Sequence, residues 1–356
     1  MNNNITAIVR LTEKCIANCI YCYNAEYSNL HNNDEMDVEY LKTVLDILCT
    51  QYDKISLILH GGEPLLWGKK RFKELSDFIN SNPHIRKKIK VDIQTNMLLF
   101  DEEWYNLMKE IGVSVISTSY DGEFHDQNRG FEKLFREKIQ LFHKLNKDKA
   151  ISINAIAVIL PTNKNDLIEN ARRAKEELCF DNYDAHLVSN NKRIKYTEEQ
   201  LVDTANSFFE YYKFLKENDM PINSFLQQFE CPSPQNSLCL FAENCIGHRF
   251  GIRANGDFFP CAEGWNDTYN LGKLYSIEDF KQIKKNLQKA YQLKIMGKYS
   301  EACSKCSLKR ICNSSCPVSI SFREYNHEPD ENFCFLYKVL YDLIQTYIVM
   351  GGKVCK

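Results

Sequence analysis

Residues 15–22 read Cys15-Ile-Ala-Asn-Cys19-Ile-Tyr-Cys22, directly after an apolar stretch, Ile5–Leu11, whose pattern predicts a β-strand. Soft thiolates at this spacing suit either an iron–sulfur cluster or zinc. The nearest histidine is His31, nine residues past Cys22, so a tetrahedral zinc site lacks a local fourth donor. Three thiolates instead bind three irons of a four-iron cube and leave one iron without a protein ligand. An open metal position is where substrate or cofactor chemistry takes place.

Beyond this loop the first half of the chain alternates strand and helix. Strand patterns fall at Lys54–His60, Lys90–Thr95, Val113–Ser119, Ala150–Leu160 and Tyr183–Val188. Helical spacing falls between them, at Asp37–Gln51, Phe72–Ile79, Glu102–Ile111, Glu132–Leu145 and Asn165–Leu178. This βα order predicts an α/β fold with a parallel sheet under covering helices. Six βα units are fewer than the eight of a closed barrel, so the expectation is an open, partial (β/α)6 barrel. A long helix is predicted over Thr197–Lys216, with Thr197 as its N-cap. From Cys231 to Cys334 the chain turns rich in cysteine and turn residues, a smaller module whose thin core clusters would partly replace. The expected division is 1–220 for the partial barrel, 221–340 for the cysteine-rich module and 341–356 for a C-terminal helix and tail.

Composition narrows the function. The chain has 356 residues with 45 basic and 47 acidic side chains, a net charge of −2 that gives no electrostatic case for nucleic acid. The N-terminus lacks a basic region followed by an apolar one, and no run of about 18 apolar residues occurs, so neither secretion nor a membrane span is expected. Fifteen cysteines in short clustered spacings, without an export signal, point to metal or cluster ligation in a reducing cytoplasm rather than to disulfides.

The loop from Cys15 to Cys22, with Tyr21 before the third cysteine, resembles the radical SAM family, which shares a C-x3-C-x-aromatic-C pattern. The resemblance implies that S-adenosylmethionine chelates the open iron and that one electron from the cluster cleaves it to methionine and a 5′-deoxyadenosyl radical. Further segments match in order. His60-Gly61-Gly62-Glu63-Pro64 after the second strand resembles the family's GGEP loop, where backbone and Glu63 would hold the methionine amine; paired glycines allow close approach to a ligand. Gln94-Thr95-Asn96 resembles the QTNG segment, with Met97 in place of the usual glycine. Ser119-Tyr120-Asp121-Gly122 resembles the SxDG motif, and His125, Asp126 and Arg129 resemble an HD-x-x-R stretch in which Arg129 would pair with the cofactor carboxylate. Apart from the resemblance, His125 and Asp126 read equally well as a solvated loop pair. Asn154 resembles the fifth-strand asparagine that contacts the ribose. All are expected at the C-terminal ends of strands, where ligands bind in parallel βα folds.

The second half holds Cys239, Cys245 and Cys261, then Cys303, Cys306, Cys312, Cys316 and Cys334. This array resembles the SPASM extension of radical SAM enzymes that act mainly on peptides and proteins. Eight cysteines suffice for two fully ligated [4Fe–4S] clusters. By that resemblance Cys239, Cys245, Cys261 and Cys316 hold one, and Cys303, Cys306, Cys312 and Cys334 the other, with Cys231 a rival for the first position. A zinc ribbon on the Cys303/Cys306 and Cys312/Cys316 pairs is the bland alternative. Cys49 and Cys179 fall on predicted helices and read as small buried hydrophobes.

The resemblance therefore implies three [4Fe–4S] clusters, S-adenosylmethionine, a peptide or protein substrate and an external electron donor such as flavodoxin or ferredoxin. The first strand starts within ten residues of the N-terminus, so leader recognition would fall to a separate protein or another surface. In sulfatase-maturing members an acidic residue follows the cysteine that Cys261 matches; here Ala262 stands there and Glu263 is next, a candidate base offset by one. That ordering sets thioether or carbon–carbon cross-linking ahead of formylglycine formation, with a small-molecule dehydrogenase third. A non-catalytic iron–sulfur protein for electron transfer or redox sensing would not need the cofactor loops. Anaerobic reconstitution is expected to load roughly 12 irons per chain, and replacing Cys15, Cys19 and Cys22 with alanine to leave about two-thirds of them; iron near zero in that variant would contradict two separate cluster-bearing modules.

Overall fold

The computed structural model describes residues 3–22, 24–25, 29, 31, 33–163, 166–188, 196–222, 224–230, 246–262, 269–297, 301–308, 312 and 331–352. Six parallel strands, β1 (Asn4–Arg10), β2 (Lys54–His60), β3 (Ile89–Gln94), β4 (Val113–Ser119), β5 (Ser152–Ile159) and β6 (Asn182–Leu187), lie side by side in sequence order. Helices α1 (Val38–Gln51), α2 (Lys69–Ser81), α3 (Pro83–Lys88), α4 (Glu102–Ile111), α5 (His125–Arg129), α6 (Glu132–Leu145) and α7 (Leu167–Glu176) connect them. Among the described residues β6 does not pair back to the far edge, so the sheet is open, as six βα units require.

Strands β2 and β5 alternate strictly. On β2, Ile55, Leu57 and Leu59 are buried beneath the helices, whereas Ser56, Ile58 and His60 turn to the opposite, inner face and stay partly exposed. On β5, Ile153, Ala155, Ala157 and Ile159 are buried on the helix side, and Asn154, Ile156 and Val158 share the inner face. The apolar side chains thus go into the sheet–helix layer, and the inner face is left to polar and half-buried groups.

Two short strands extend the sheet beyond β1. β7 (Arg249–Ile252) pairs parallel with β1, and β8 (Phe258–Phe259) antiparallel with β7. Phe250, Ile252 and Phe258, together with Phe280, Ile283 and Leu287 of α10 (Ile277–Gly297), belong to the same hydrophobic core as Ile5, Leu57 and Leu75. The expected boundary at 220/221 therefore cuts through one continuous sheet and core. Four residues that read Arg-Phe-Gly-Ile are too short to show a strand period, and β1 supplies the pairing that makes them one.

A second core joins α8 (Glu198–Glu217), α9 (Ser224–Glu230) and α12 (Glu331–Val349) to the outer side of β5 and β6, through Phe208, Tyr212, Phe225, Leu336, Leu340 and Ile344. Thr197 and Gln200 close a capping box at the start of α8. The C-terminal helix begins at Glu331, ten residues before the expected boundary at 341. A further short helix, α11 (Glu301–Ser304), carries Cys303.

The five- and six-residue helices α5 and α3 escape periodicity for the same reason as β7. Cys49 is buried on α1 as expected, but Cys179 is exposed, lies past the end of α7 and holds a left-handed φ of 52°. His125 is no solvated loop residue. It is 2% exposed and stacks on Phe135 at 4.6 Å, and burial, helped by Arg129 and Arg136, pushes its pKa down from 6.5 to about 3. Asp126 caps α6 through the backbone N–H of Glu132.

Because the folded chain refuses a proton that the unfolded chain accepts, His125 stabilises the fold above about pH 6.5, and this contribution is lost as pH falls toward about 3. The slope is up to about 1.4 kcal/mol per pH unit, and urea midpoints taken at several pH values should show it flattened by that amount in His125→Phe. Phe258→Ala is expected to cost about 3–5 kcal/mol and to move a single unfolding transition; two transitions, only one of them shifted, would contradict the shared core.

Candidate active site at the cysteine loop

From the end of β1 the chain runs along the C-terminal edge of the sheet as the cysteine loop. Leu11 donates to the carbonyl of His60 at 2.8 Å, Gly62 to that of Thr12 at 2.8 Å, and Glu63 to that of Lys14 at 2.7 Å. These bonds lay residues 11–14 against the loop after β2. They also explain the glycine pair. A Cβ at Gly61 would run into the carbonyl oxygen of Thr12, and one at Gly62 into that of Lys14. The sequence reading expects these glycines to admit a ligand; in the structure the close approach is that of the chain to itself.

Glu63 is fully buried and caps the one-turn helix Pro64–Trp67. Its Oε1 accepts from Leu65 N at 3.0 Å and Thr95 Oγ1 at 2.6 Å, and its Oε2 from Asn96 N at 2.7 Å. Burial pushes the carboxyl up while these three donors pull it back. Asn96 in turn points Nδ2 at Cys15 Sγ, 3.8 Å away. Met97, where the resemblance expects glycine, takes the left-handed φ of 66° and buries its side chain in the core, so the turn is kept at the cost of local strain.

The other flank of the loop is held by α5. Ile20 donates to the carbonyl of Asn128 at 2.9 Å. Arg129 Nη1 donates to Tyr21 Oη at 2.5 Å, and Tyr21 Oη donates to Asp121 Oδ2 at 2.6 Å. Asp121 also accepts from Val158 N at 3.1 Å and from Asn128 Nδ2. Burial pushes the Asp121 carboxyl up, with the Arg129 charge opposing the shift. Tyr21, Leu160 and Val188 form a small buried cluster, against which Cys19 and Val158 pack.

Cys15, Cys19 and Cys22 lie close enough for their charges to act on one another, and none of the described cysteines is in a disulfide. Burial pushes the Cys15 thiol up to about 11, and that of Cys19 in the same direction. Thiolate ligation there needs the positive charge of a metal, and metal binding would release protons. Among the described residues no three His, Cys, Asp or Glu side chains converge on a single ion. A cube asks for no such convergence, since each thiolate takes its own iron. Soft donors with the Arg129 cation beside Cys19 fit a cluster held by three cysteines. Arg129 lies beside Cys19 and Asn96 beside Cys15, and half-buried Ser119 ends β4.

One expected residue lies elsewhere. Asn154 is near the N-terminal end of β5, paired in register with Ser117 and Asn182, and its Oδ1 accepts from Asn182 Nδ2 at 3.0 Å. It is partly exposed rather than buried, and it is not at the C-terminal edge. Of the later cysteines, Cys303 and Cys306 share a tight turn, with Cys306 N donating to the Cys303 carbonyl at 3.2 Å. Cys312 packs against the core that α12 enters one turn after Cys334, and Cys261 follows β8. Cys231, Cys239, Cys245, Cys316 and Glu263 lie outside the described residues.

Sequence reasoning passed over two groups at this edge. Arg10 and Glu13 form a buried ion pair, with Asn24 Nδ2 bonded to Glu13. Asp184 and His186 pair on β6, His186 Nε2 to Asp184 Oδ2, at 3.1 Å. The strand's alternation, Tyr-Asp-Ala-His-Leu, is the signal that places both on one face.

Residues 9–174 match the Radical SAM superfamily. A cysteine-type anaerobic sulfatase-maturating enzyme of Clostridium perfringens is 23% identical over 347 residues, covering 92% of each chain. The uncharacterized protein MJ0907 of Methanocaldococcus jannaschii is 31% identical over 159 residues, 44% of this chain and 53% of that one. Among solved structures, anSMEcpe with bound AdoMet and the Cp18Cys peptide matches with a TM-score of 0.79 at 18% identity, over 98% of this chain and 99% of that one. Streptococcus suis SuiB bound to the precursor peptide SuiA matches at 0.66 and 15% identity, over 93% and 76%. At these identities the solved structures speak for the fold. The expectation raised by the loop from Cys15 to Cys22 stands: residues 9–174 of this chain carry a radical SAM superfamily domain.

Proposed function

We propose that this chain is a maturase that oxidises a side chain of a peptide or protein substrate. The observation that carries the reading is the cysteine loop clamped between Gly61–Glu63 and Asn128–Arg129, at the C-terminal edge of a sheet whose inner face mixes polar side chains such as His60 and His186 with Ile58, Ile156 and Val158. When bound, the cluster and S-adenosylmethionine supply a 5′-deoxyadenosyl radical that removes a hydrogen atom from the substrate. The chain's own residues do the rest. Cys15, Cys19 and Cys22 bind the cluster. Tyr21 and Asp121 orient Arg129 toward the cofactor carboxylate. Glu63 sets Thr95 and Asn96, and Ser119 offers a hydroxyl at the end of β4. Gln94, Ser117, Asp184 and His186 line the inner face where the substrate side chain would lie.

The match along 92% of both chains with a cysteine-type sulfatase maturase supports formylglycine formation at least as well as cross-linking. Ala262, in place of an acidic residue after Cys261, keeps the cross-link reading open. The later cysteines would hold auxiliary clusters, with Cys303, Cys306, Cys312 and Cys334 in one group and Cys261, Cys239, Cys245 and Cys316 in the other. Peptide substrates in the solved neighbours anSMEcpe and SuiB support a peptide here.

The test is anaerobic reconstitution with S-adenosylmethionine, a reductant and candidate peptides rich in cysteine or aromatic residues. The expected result is 5′-deoxyadenosine together with a modified peptide. Loss of two hydrogens with sulfur retained marks a cross-link, and loss of sulfur with gain of a carbonyl oxygen marks formylglycine. No 5′-deoxyadenosine would overturn the reading.

A further inference from the structure

We propose that His186, held by Asp184, is the base that takes the second hydrogen of the substrate as a proton; the inference rests on the maturase reading above. Oxidation of a side chain by two electrons removes two hydrogens. One leaves as an atom with the 5′-deoxyadenosyl group. The other must leave as a proton, and the remaining electron goes to a one-electron acceptor of the iron–sulfur class. The proton passes to the imidazole of His186 and from there to solvent. Formylglycine formation and cross-linking share this requirement.

The register places the dyad beside the cysteine loop. Ile156 pairs with Asp184 and Val158 with His186, so all four lie on the inner face of β5 and β6. Their neighbours Tyr183, Ala185 and Leu187 face the helix-side core. Val158 is also the residue that packs with Cys19 and Tyr21 and gives its N–H to Asp121. His186 is therefore one strand away from a residue touching the cysteine loop, near the C-terminal end of β6. A carboxylate on one ring nitrogen orients an imidazole and raises the basicity of the other. His186 and Asp184 side chains are 42% and 29% exposed, so a substrate can reach them.

Among the described residues, three further titratable groups on this face, Arg10, His60 and Asp92, are committed to the fold. Arg10 is bound to Glu13, the Nδ1 of His60 takes the N–H of Gly61 at 2.7 Å, and Asp92 accepts from Ser114 Oγ at 2.6 Å and pairs with Lys90. A half-exposed pair two residues apart on one strand adds little to stability, so replacing it should leave the fold intact.

The experiment measures 5′-deoxyadenosine and modified peptide together, in the full reconstituted chain, for wild type, His186→Gln, Asp184→Asn and Glu263→Gln. Iron content equal to wild type certifies each variant as folded. In His186→Gln, 5′-deoxyadenosine persists while modified peptide per 5′-deoxyadenosine falls by about 100-fold or more. Asp184→Asn lowers the ratio less than His186→Gln does, and added imidazole restores product in His186→Gly. An unchanged ratio in His186→Gln, or a collapse confined to Glu263→Gln, overturns the assignment while leaving the maturase reading in place. Wild type that makes no 5′-deoxyadenosine overturns both.

Discussion

The carboxylate of Glu63 accepts three hydrogen bonds inside a site closed to water, from Leu65, Thr95 and Asn96. Through them the loop after β2 is fastened to the loop after β3, and through the Glu63 N–H to Lys14 it is fastened to the cysteine loop. A buried carboxylate left without donors is costly, so the three loops are constrained to meet here or not at all. The position of Cys15 beside Asn96, and the need for glycine at 61 and 62, follow from that junction.

The opposite flank uses charge. Arg129, Tyr21 and Asp121 form a chain of hydrogen bonds that places a cation against Cys19. Burying such groups is unfavourable unless every partner is present, and Asp121 meets that condition with donors from Tyr21, Val158 and Asn128. Met97 shows the same priority of site over stability, since it holds a left-handed turn that glycine would adopt without strain. The cysteine loop is thus gripped on both sides by groups whose arrangement is dictated by the site rather than by packing alone.

The second module is tied to this junction. β7 pairs with the strand whose end launches the cysteine loop, and Tyr40 Oη donates to the carbonyl of Gly256 at 2.9 Å while accepting from Leu274 N at 3.0 Å. Glu13, bound to Arg10, also accepts from the backbone of Ala254. A four-residue strand and a two-residue partner have no stability of their own. They exist because β1 offers an unpaired edge, and this couples the later cysteines to the first loop through one core.

The sequence by itself determined the fold class, because six strands and their helices carry strong apolar periodicity from Ile5 to Leu187. It also marked the loop from Cys15 to Cys22 as the expected cluster site, since three cysteines at that spacing after a strand have few other uses. What it did not determine depends on contacts distant in the chain. The strand β7, the shared core and the junction at Glu63 join residues far apart, and nothing local marks them. Asn154 was expected at a strand end by the resemblance alone, although it stands within the run Ala150–Leu160, and pairing with Ser117 and Asn182 puts it near the start of β5. Gly61 and Gly62 were expected to admit a ligand; only the tertiary structure decided that their tight neighbour within the chain is Thr12–Lys14. The pairing of Asp184 with His186 was legible as alternation. Its nearness to Cys19 was decided by register with β5, because side chains two apart on neighbouring strands share a face only once the strands are paired.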